Sequence, residues 1–473
     1  MRHILRFVLA LLLAMTAQPS RQSLTLAQPA AARPNILLIQ ADDLGYGDLS
    51  VYGQTRFETP MLDRLAREGT RFTHYYSGST VCAPSRASLM TGMHTGHGWI
   101  RGNGGFPSGD VPLRAEDVTV AEVLRSAGYR TALIGKWGLG QPGTTGMPHE
   151  QGFEYAFGFL DQRHAHRQFT DHLWRNGERV RADVDRDYVN DLFTKEAAAF
   201  IEQQDSRPFF MYLNYTVPHA ELRAPEEEVD RFRGRFPEQP FANPKADAQV
   251  TGARFDVPSL GYRSQASPRA TFAAMIARMD RDVGRLAELL RARGLDRRTL
   301  LLFTSDNGPH REGGGDPDFF TSSGGLRGIK RDLYDGGIRV PMIAHWPGTV
   351  PAGRVSDHQW THWDVMPTLA EIASAKAPDG LDGMSVARAL RGQPQPAHDA
   401  LYWEFHERGF QQAVRMGRWK AVRLKPGSPL ELYDLETDPR EERDVAASNP
   451  AVVAKIETYL KTARTHSERW PGK

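Results

Sequence analysis

The chain has 473 residues, with 59 basic and 57 acidic side chains, a formal net charge of +2 and 40% hydrophobic residues. That length supports a large core plus a smaller unit, and the near-balanced charge, with no long block of one sign, argues against a nucleic-acid or polyanion-coating surface. The single cysteine, Cys82, excludes an intramolecular disulfide framework. At the N-terminus, Met1 to Arg6 is basic, residues 7–14 are apolar and small residues follow. This pattern predicts a secretory signal peptide over 1–27, cleaved after Ala17 or Ala27, because the apolar stretch is shorter than the ~20 residues that a bilayer requires. The expected destination is the periplasm or the exterior, with no membrane span left after signal removal. A lone thiol there is open to oxidation, so Cys82 needs an explanation.

Apolar runs predict strands over 34–40, 131–135, 208–215, 299–304 and 338–345. Helical periodicity falls between them over 61–68, 118–126, 191–203, 268–293 and 364–373. The alternation is that of an α/β fold, a mostly parallel sheet covered by helices on both faces. Long Gly/Pro-rich connections at 142–152 and 237–268 read as active-site loops. Composition shifts after Pro396, where short strands over 411–416, 418–424 and 430–434 and a helix over 451–464 predict a small antiparallel sheet plus helix. The expected division is a catalytic domain over 33–395 and a C-terminal subdomain over 396–473.

Cys82 lies in Cys82-Ala83-Pro84-Ser85-Arg86, with Leu89 and Thr91-Gly92 following. Pro84 suits the first turn of a helix and Gly92 its end. Cys82 is therefore expected at a helix N-terminus, where free N–H groups favour an anion. Two predicted strands run into acidic clusters: 34–40 into Asp42-Asp43, and 299–304 into Ser305-Asp306-Asn307-Gly308. Ligands gather at the carboxyl ends of parallel strands. Oxygen donors from Asp42, Asp43, Asp306 and Asn307 suit a hard cation, calcium or magnesium. Each pair, taken alone, also reads as a turn or cap. Arg86, Lys136 and Lys330 bring positive charge. With three carboxylates and one divalent cation they leave a site that attracts an anionic ester.

The run from Cys82 to Gly92 closely resembles the signature of type I sulfatases, of the alkaline-phosphatase-like superfamily. Asp42-Asp43, Gly135-Lys136-Trp137, Ser305-Asp306-Asn307-Gly308 and the region from Lys330 to Val340 resemble the same family in the same order. The resemblance implies a large mixed, mostly parallel sheet sandwiched by helices, and hydrolysis of a sulfate ester by a formylglycine that a maturation enzyme makes from Cys82. A hydroxyl of the hydrated aldehyde attacks sulfur, and collapse to the aldehyde then expels sulfate. It implies calcium rather than magnesium, held by residues matching Asp42, Asp43, Asp306, Asn307 and the modified Cys82. Arg86 would orient the hydrate, Lys136 and Lys330 would bind sulfate oxygens, and His219 would serve the leaving group.

One departure stands out: many members carry a histidine two positions after the lysine, where this chain has Gly138. His164 or His166 is expected to fill part of that role or to contact the sugar, with the alternation placing both on one side. His97, Arg101 and Asn103, in the loop after the catalytic helix, are candidate sugar contacts, with Trp99 available to stack on a ring. These residues favour a sulfated carbohydrate. The competing readings are a phosphate or phosphonate ester hydrolase of the same superfamily, and a non-catalytic sulfoglycan-binding protein.

Overall fold

Every residue of β1 (Asn35–Asp42) is buried, and a strand that is apolar on both sides belongs in the middle of a sheet covered on both faces. The computed structural model describes residues 33–104, 111–203, 205–249 and 261–472, and the expected signal peptide lies outside them. β1 pairs in parallel with β7 (Phe209–Pro218) and β8 (Thr299–Ser305). Beyond β7 come β3 (Arg130–Lys136) and β4 (Tyr155–Phe159), also parallel, and then an antiparallel β5 (His172–Arg175) and β6 (Glu178–Arg181). Beyond β8, an antiparallel β9 (Arg339–His345) leads to β2 (Thr70–Tyr76), which also pairs with β10 (Arg354–Ser356) and β11 (Trp360–Thr361). The result is an 11-stranded mixed sheet, parallel at its centre.

Alternation along β1 builds the two cores. Leu37 and Ile39 face α1 (Pro60–Glu68), a helix over Val189–Glu202 and another over Pro268–Ala292. Ile36 and Leu38 face α2 (Cys82–Thr91), α3 (Val120–Ser126) and the helix Val365–Ile372.

The C-terminal sheet has four antiparallel strands, β12 (Leu401–Phe405), β13 (Gln411–Met416), β14 (Trp419–Arg423) and β15 (Glu431–Asp434). One face buries Tyr402, Val414, Ala421 and Leu432 under the helix Pro450–Leu460. The other buries Trp403, Ala413, Val422 and Tyr433 against Tyr76, Val81 and Trp363 of the main sheet and its helices. The small sheet therefore seats beside the start of α2. Trp403 Nε1 donates to Ser77 O at 2.9 Å at that contact.

Glu404 anchors the opposite face. Its carboxylate accepts from Arg464 Nε at 2.9 Å, Arg101 Nη1 at 3.2 Å and Tyr402 OH at 2.9 Å, with His406 Nε2 at 3.0 Å. Burial would raise its pKa, but His406, Arg464 and Arg101 outweigh burial and hold it near 2 rather than 4.5. A depressed carboxyl contributes stability that is complete above its unfolded value and lost as pH falls through the folded one. Urea unfolding of wild type and Glu404→Gln is therefore expected to show a gap of roughly 3 kcal/mol near neutral pH that narrows from pH 4.5 toward pH 2.

Candidate active site

Strand register brings the candidate residues to one level. Asp42 of β1 pairs with Pro218, the residue before His219, and Ala41 pairs with Ser305, the residue before Asp306. Gly135, the residue before Lys136, pairs with Asn214 of β7. Gly135 has φ +103°, and a Cβ there would lie 1.8 Å from Asn214 O, so only glycine allows β3 to approach β7 so closely. The carboxyl ends of β1, β3, β7 and β8 thus deliver Asp42-Asp43, Lys136, His219 and Asp306-Asn307 together.

α2 supplies the remaining groups. Cys82 begins the helix and is 3% exposed, with Sγ 3.7 Å from Asp42 Oδ1. Arg86, one turn on, donates from Nε and Nη2 to Asp306 Oδ2 at 3.1 and 2.8 Å and from Nη1 to Lys136 O at 3.1 Å. Lys136 Nζ donates to Asp42 Oδ2 at 2.8 Å, and Lys330 Nζ to Asp43 Oδ2 at 2.8 Å. Lys330 Nζ also lies 3.1 Å from His219 Nε2. His219 Nδ1 contacts Ala220 O and must donate there, which leaves Nε2 to accept from Lys330.

The electrostatics follow from burying these charges together. Burial pushes Asp42 upward, but Lys136, His219, Arg86 and Lys330 overcome it and hold the carboxyl well below its usual range. Burial lowers His219 to about 4, against the pull of Asp43, and His219 is neutral near neutral pH. The Cys82 thiol is pushed far above its usual range, by burial first, against Lys136 and Lys330. As a thiol it is protonated and a poor nucleophile at neutral pH.

The donor set fits a hard cation. Asn307 Nδ2 donates to Asp43 Oδ1 at 2.7 Å and to Gly308 O at 2.9 Å. Its Oδ1 is left buried with no hydrogen-bond partner among the described residues. That orphaned oxygen stands beside three buried carboxylates, Asp42, Asp43 and Asp306, the all-oxygen chemistry that calcium takes.

His164 and His166 do not share a side. Residues His164–His166 form a 3₁₀ turn, and two residues in such a turn are about 240° apart. His166 stacks on His219 with ring centroids 4.4 Å apart, whereas His164 Nε2 meets Thr170 Oγ1 at 2.8 Å and packs on Phe159. A histidine at position 138 would strain the backbone and displace a neighbouring side chain. Gly138 has φ +73°, and a Cβ would stand 2.0 Å from Gln162 Nε2, so the Gln162 amide fills that space.

Three proposed sugar contacts are held by other partners. His97 Nδ1 lies 2.7 Å from Asp382 Oδ1, and Arg101 is engaged by Glu404 and Thr465 O. Asn103 Oδ1 accepts from Ala83 N at 3.0 Å and so caps the catalytic helix. Trp99 is flanked by the Arg114 guanidinium 4.5 Å from its ring centre.

Sequence reasoning missed His310, Glu312 and Tyr262. His310 Nε2 lies 3.0 Å from Pro218 O, and its ring stacks toward His219 at 5.7 Å. Glu312 Oε2 accepts from Tyr262 OH at 2.9 Å and lies 3.6 Å from Lys330 Nζ. The available signal was their spacing, since His310 and Glu312 closely follow the Asp306-Asn307 motif.

A family model described as Sulfatase matches residues 34–375, and one described as N-sulphoglucosamine sulphohydrolase, C-terminal, matches 329–466. The chain is 32% identical to arylsulfatase A of Homo sapiens over 490 residues, covering 94% of this chain and 89% of that protein. It is 27% identical to N-acetylgalactosamine-6-O-sulfatase of Bacteroides thetaiotaomicron, covering 92% of this chain and 93% of that one. Among solved structures, Ps i-CgsB in complex with k-i-k-neocarrahexaose superposes with a TM-score of 0.76 at 28% identity, covering 93% and 95% of the two chains.

Proposed function

The chain belongs to the sulfatase family and is a sulfuric ester hydrolase, and from that premise we propose that it removes an O-sulfate from a carbohydrate, using a formylglycine made from Cys82 and a bound calcium ion. The observation that carries the reading is the position of Cys82, a buried thiol with no ionised form to offer, at the one point where α2 meets the Asp42, Asp306 and Lys136 groups. The sugar substrate is supported by the relative named N-acetylgalactosamine-6-O-sulfatase and by the solved structure in complex with k-i-k-neocarrahexaose.

When present, the hydrated aldehyde would supply the attacking hydroxyl, and calcium held by Asp42, Asp43, Asp306 and Asn307 would draw off charge from the sulfate oxygens. The chain's own residues do the rest. Arg86, fixed by Asp306 and Lys136 O, orients residue 82 from one helical turn away. Lys136 and Lys330 aim their ammonium groups at the same space and hold the sulfate. The Lys330–His219 hydrogen bond holds the proton that the departing sugar oxygen takes. His166 backs His219 and keeps its ring in plane, in place of the missing residue-138 histidine.

His166→Ala is expected to lower kcat roughly tenfold or more, with a smaller loss for His164→Ala. Equal losses would remove His166 from the mechanism. Chelation is expected to abolish turnover and lower the melting temperature, with recovery on adding Ca²⁺ more complete than on adding Mg²⁺. Position-defined sulfated sugars are expected to exceed 4-nitrophenyl sulfate in kcat/KM, and the reverse order would overturn the carbohydrate assignment.

The proposal extends to organisation and location: a signal peptide over 1–27, a catalytic domain over 33–395 and a C-terminal subdomain over 396–473 in a periplasmic or secreted enzyme matured by a formylglycine-generating partner. No described helix is long and apolar enough to cross a membrane.

A further inference from the structure

Three segments of the chain each present a ring at His219 and then a charged side chain one or two residues later. His166 stacks on His219, and Arg167 follows it. Tyr262 lies 5.5 Å from His166 and 6.2 Å from His219, ring to ring, and Arg263 follows it. Glu221 comes two residues after His219 itself. The charged side chains then meet. Arg263 donates from Nε and Nη2 to Glu221 Oε2 and Oε1 at 2.8 and 2.7 Å, and Arg167 Nη1 donates to Oε2 at 2.9 Å. Glu221 is 1% exposed and has no freedom to leave. The ring layer around His219 therefore continues directly into an arginine layer. The two-residue step from His219 to Glu221 spans at most about 7 Å, the scale of one sugar unit.

A third guanidinium joins this layer. Arg223 lies 5.5 Å from the Phe169 ring centre and has no hydrogen-bond or ion-pair partner among the described residues. Burial, and then Arg263, lower its pKa, with Glu221 only partly offsetting them. The nearby Glu226 is already engaged by Arg233 Nη2 at 2.6 Å. Two guanidinium groups thus share the Glu221 carboxylate, and Arg223 is left without one. Such a guanidinium, only partly buried and with no ion-pair partner among the described residues, is open to meet an anion, and its planar fork matches a carboxylate or a sulfate.

We propose that Arg167, Arg223 and Arg263 form a subsite for a second anionic group of the substrate, a carboxylate or a sulfate on the sugar next to the one that is desulfated. The subsite rests on the sulfatase reading above and narrows its substrate to polyanionic glycans. Glu221 is the positioning residue that holds two of the arginines, while Arg223 supplies the uncommitted donors.

The test compares three sulfated disaccharides that differ only in the neighbouring sugar: neutral, carboxylated or sulfated. The matured full-length enzyme is expected to favour one of the two anionic forms by about tenfold or more in kcat/KM, mostly through KM, with the preference shrinking as salt rises. Arg223→Gln is expected to erase that preference, and Arg223→Lys to keep part of it, with melting curves confirming that both variants are folded. Preference for the carboxylated form identifies a uronate-type partner, and preference for the sulfated form a second sulfate. No preference in wild type, or an unchanged preference in Arg223→Gln, overturns the subsite. Calorimetric binding of the anionic disaccharides to Cys82→Ala, with and without Arg223→Gln, reads the subsite without turnover. Loss of binding with Arg223→Gln in an enzyme that hydrolyses no sulfate ester would sink the catalytic reading and leave the subsite standing.

Discussion

Cys82→Ala is expected to abolish sulfate-ester hydrolysis, with a loss of at least roughly 10⁴-fold in kcat, while the protein still folds. The side chain is small and sits at the first position of α2, where among the described residues it makes one weak hydrogen bond, from Sγ to Asp42 at 3.7 Å. Alanine therefore removes chemistry and little packing. A hydroxyl one turn along the helix does not take over. Ser85, the nearest on α2, is committed to Gly78 N, Asp306 O and His362 Nδ1. Mass spectrometry of natively produced protein is expected to find an aldehyde or its hydrate at position 82, and an aminooxy probe to label wild type but not the alanine variant. Retention of substantial turnover by Cys82→Ala, or an intact thiol in fully active protein, would overturn the formylglycine proposal.

The largest expected stability effect lies where the small sheet meets the main body. Lys420 on β14 is fully buried, with Nζ 2.9 Å from Asp335 Oδ1 and 3.3 Å from Glu441 Oε1. Asp335 also accepts from Tyr76 OH at 2.9 Å, and Glu441 accepts from Asp335 N at 2.7 Å. Removing one partner of such a buried set leaves charge without compensation and typically costs about 3–5 kcal/mol. Lys420→Met is therefore expected to lose about that much in urea unfolding. The sign of its pH dependence is fixed as well. Burial, and then Asp335, already raise Glu441, with Lys420 opposing them, and loss of the lysine raises it further. A carboxyl whose folded pKa is raised binds more protons folded than unfolded, so stability falls as pH rises. The deficit of Lys420→Met is expected to be larger at pH 8 than at pH 5. A loss below about 1 kcal/mol would mean that the contact between the sheets does not depend on this cluster.

How much of this was legible in the sequence depends on where each residue's partners come from. β1, β7 and β8 were readable because both faces are buried and the apolar runs are unbroken. β2 was not, because Arg71, Thr73 and His74 alternate with its buried residues and its cover comes from β9 and the later Trp360. The short outer strands β5, β6, β10 and β11 are two to four residues long, and their conformation is set by pairing rather than by their own propensity. Within the site, Asp42, Asp43, Lys136, Asp306 and Asn307 were readable because each terminates or follows a recognisable strand. The partners of Arg101 and Asn103 were not readable, because Glu404 and the Ala83 amide lie far away in the chain or on another element. Tyr262 lies in the 237–268 connection that reads as an active-site loop, but nothing local marks it as the residue that meets the His166–His219 pair.

The burial of Cys82 imposes a schedule. In the finished protein its side chain is sealed by groups from β3, from the end of β8 and from residue 330. Any enzyme that is to oxidise it must therefore meet the chain before Asp306 and Lys330 have been made and folded into place. At ordinary synthesis rates that interval is on the order of tens of seconds. Once it closes, a thiol left unconverted is locked inside a stable fold. On the proposed formylglycine reading, specific activity would record how maturation and folding competed for the chain, and two preparations of equal purity and identical melting temperature would differ in turnover on that account.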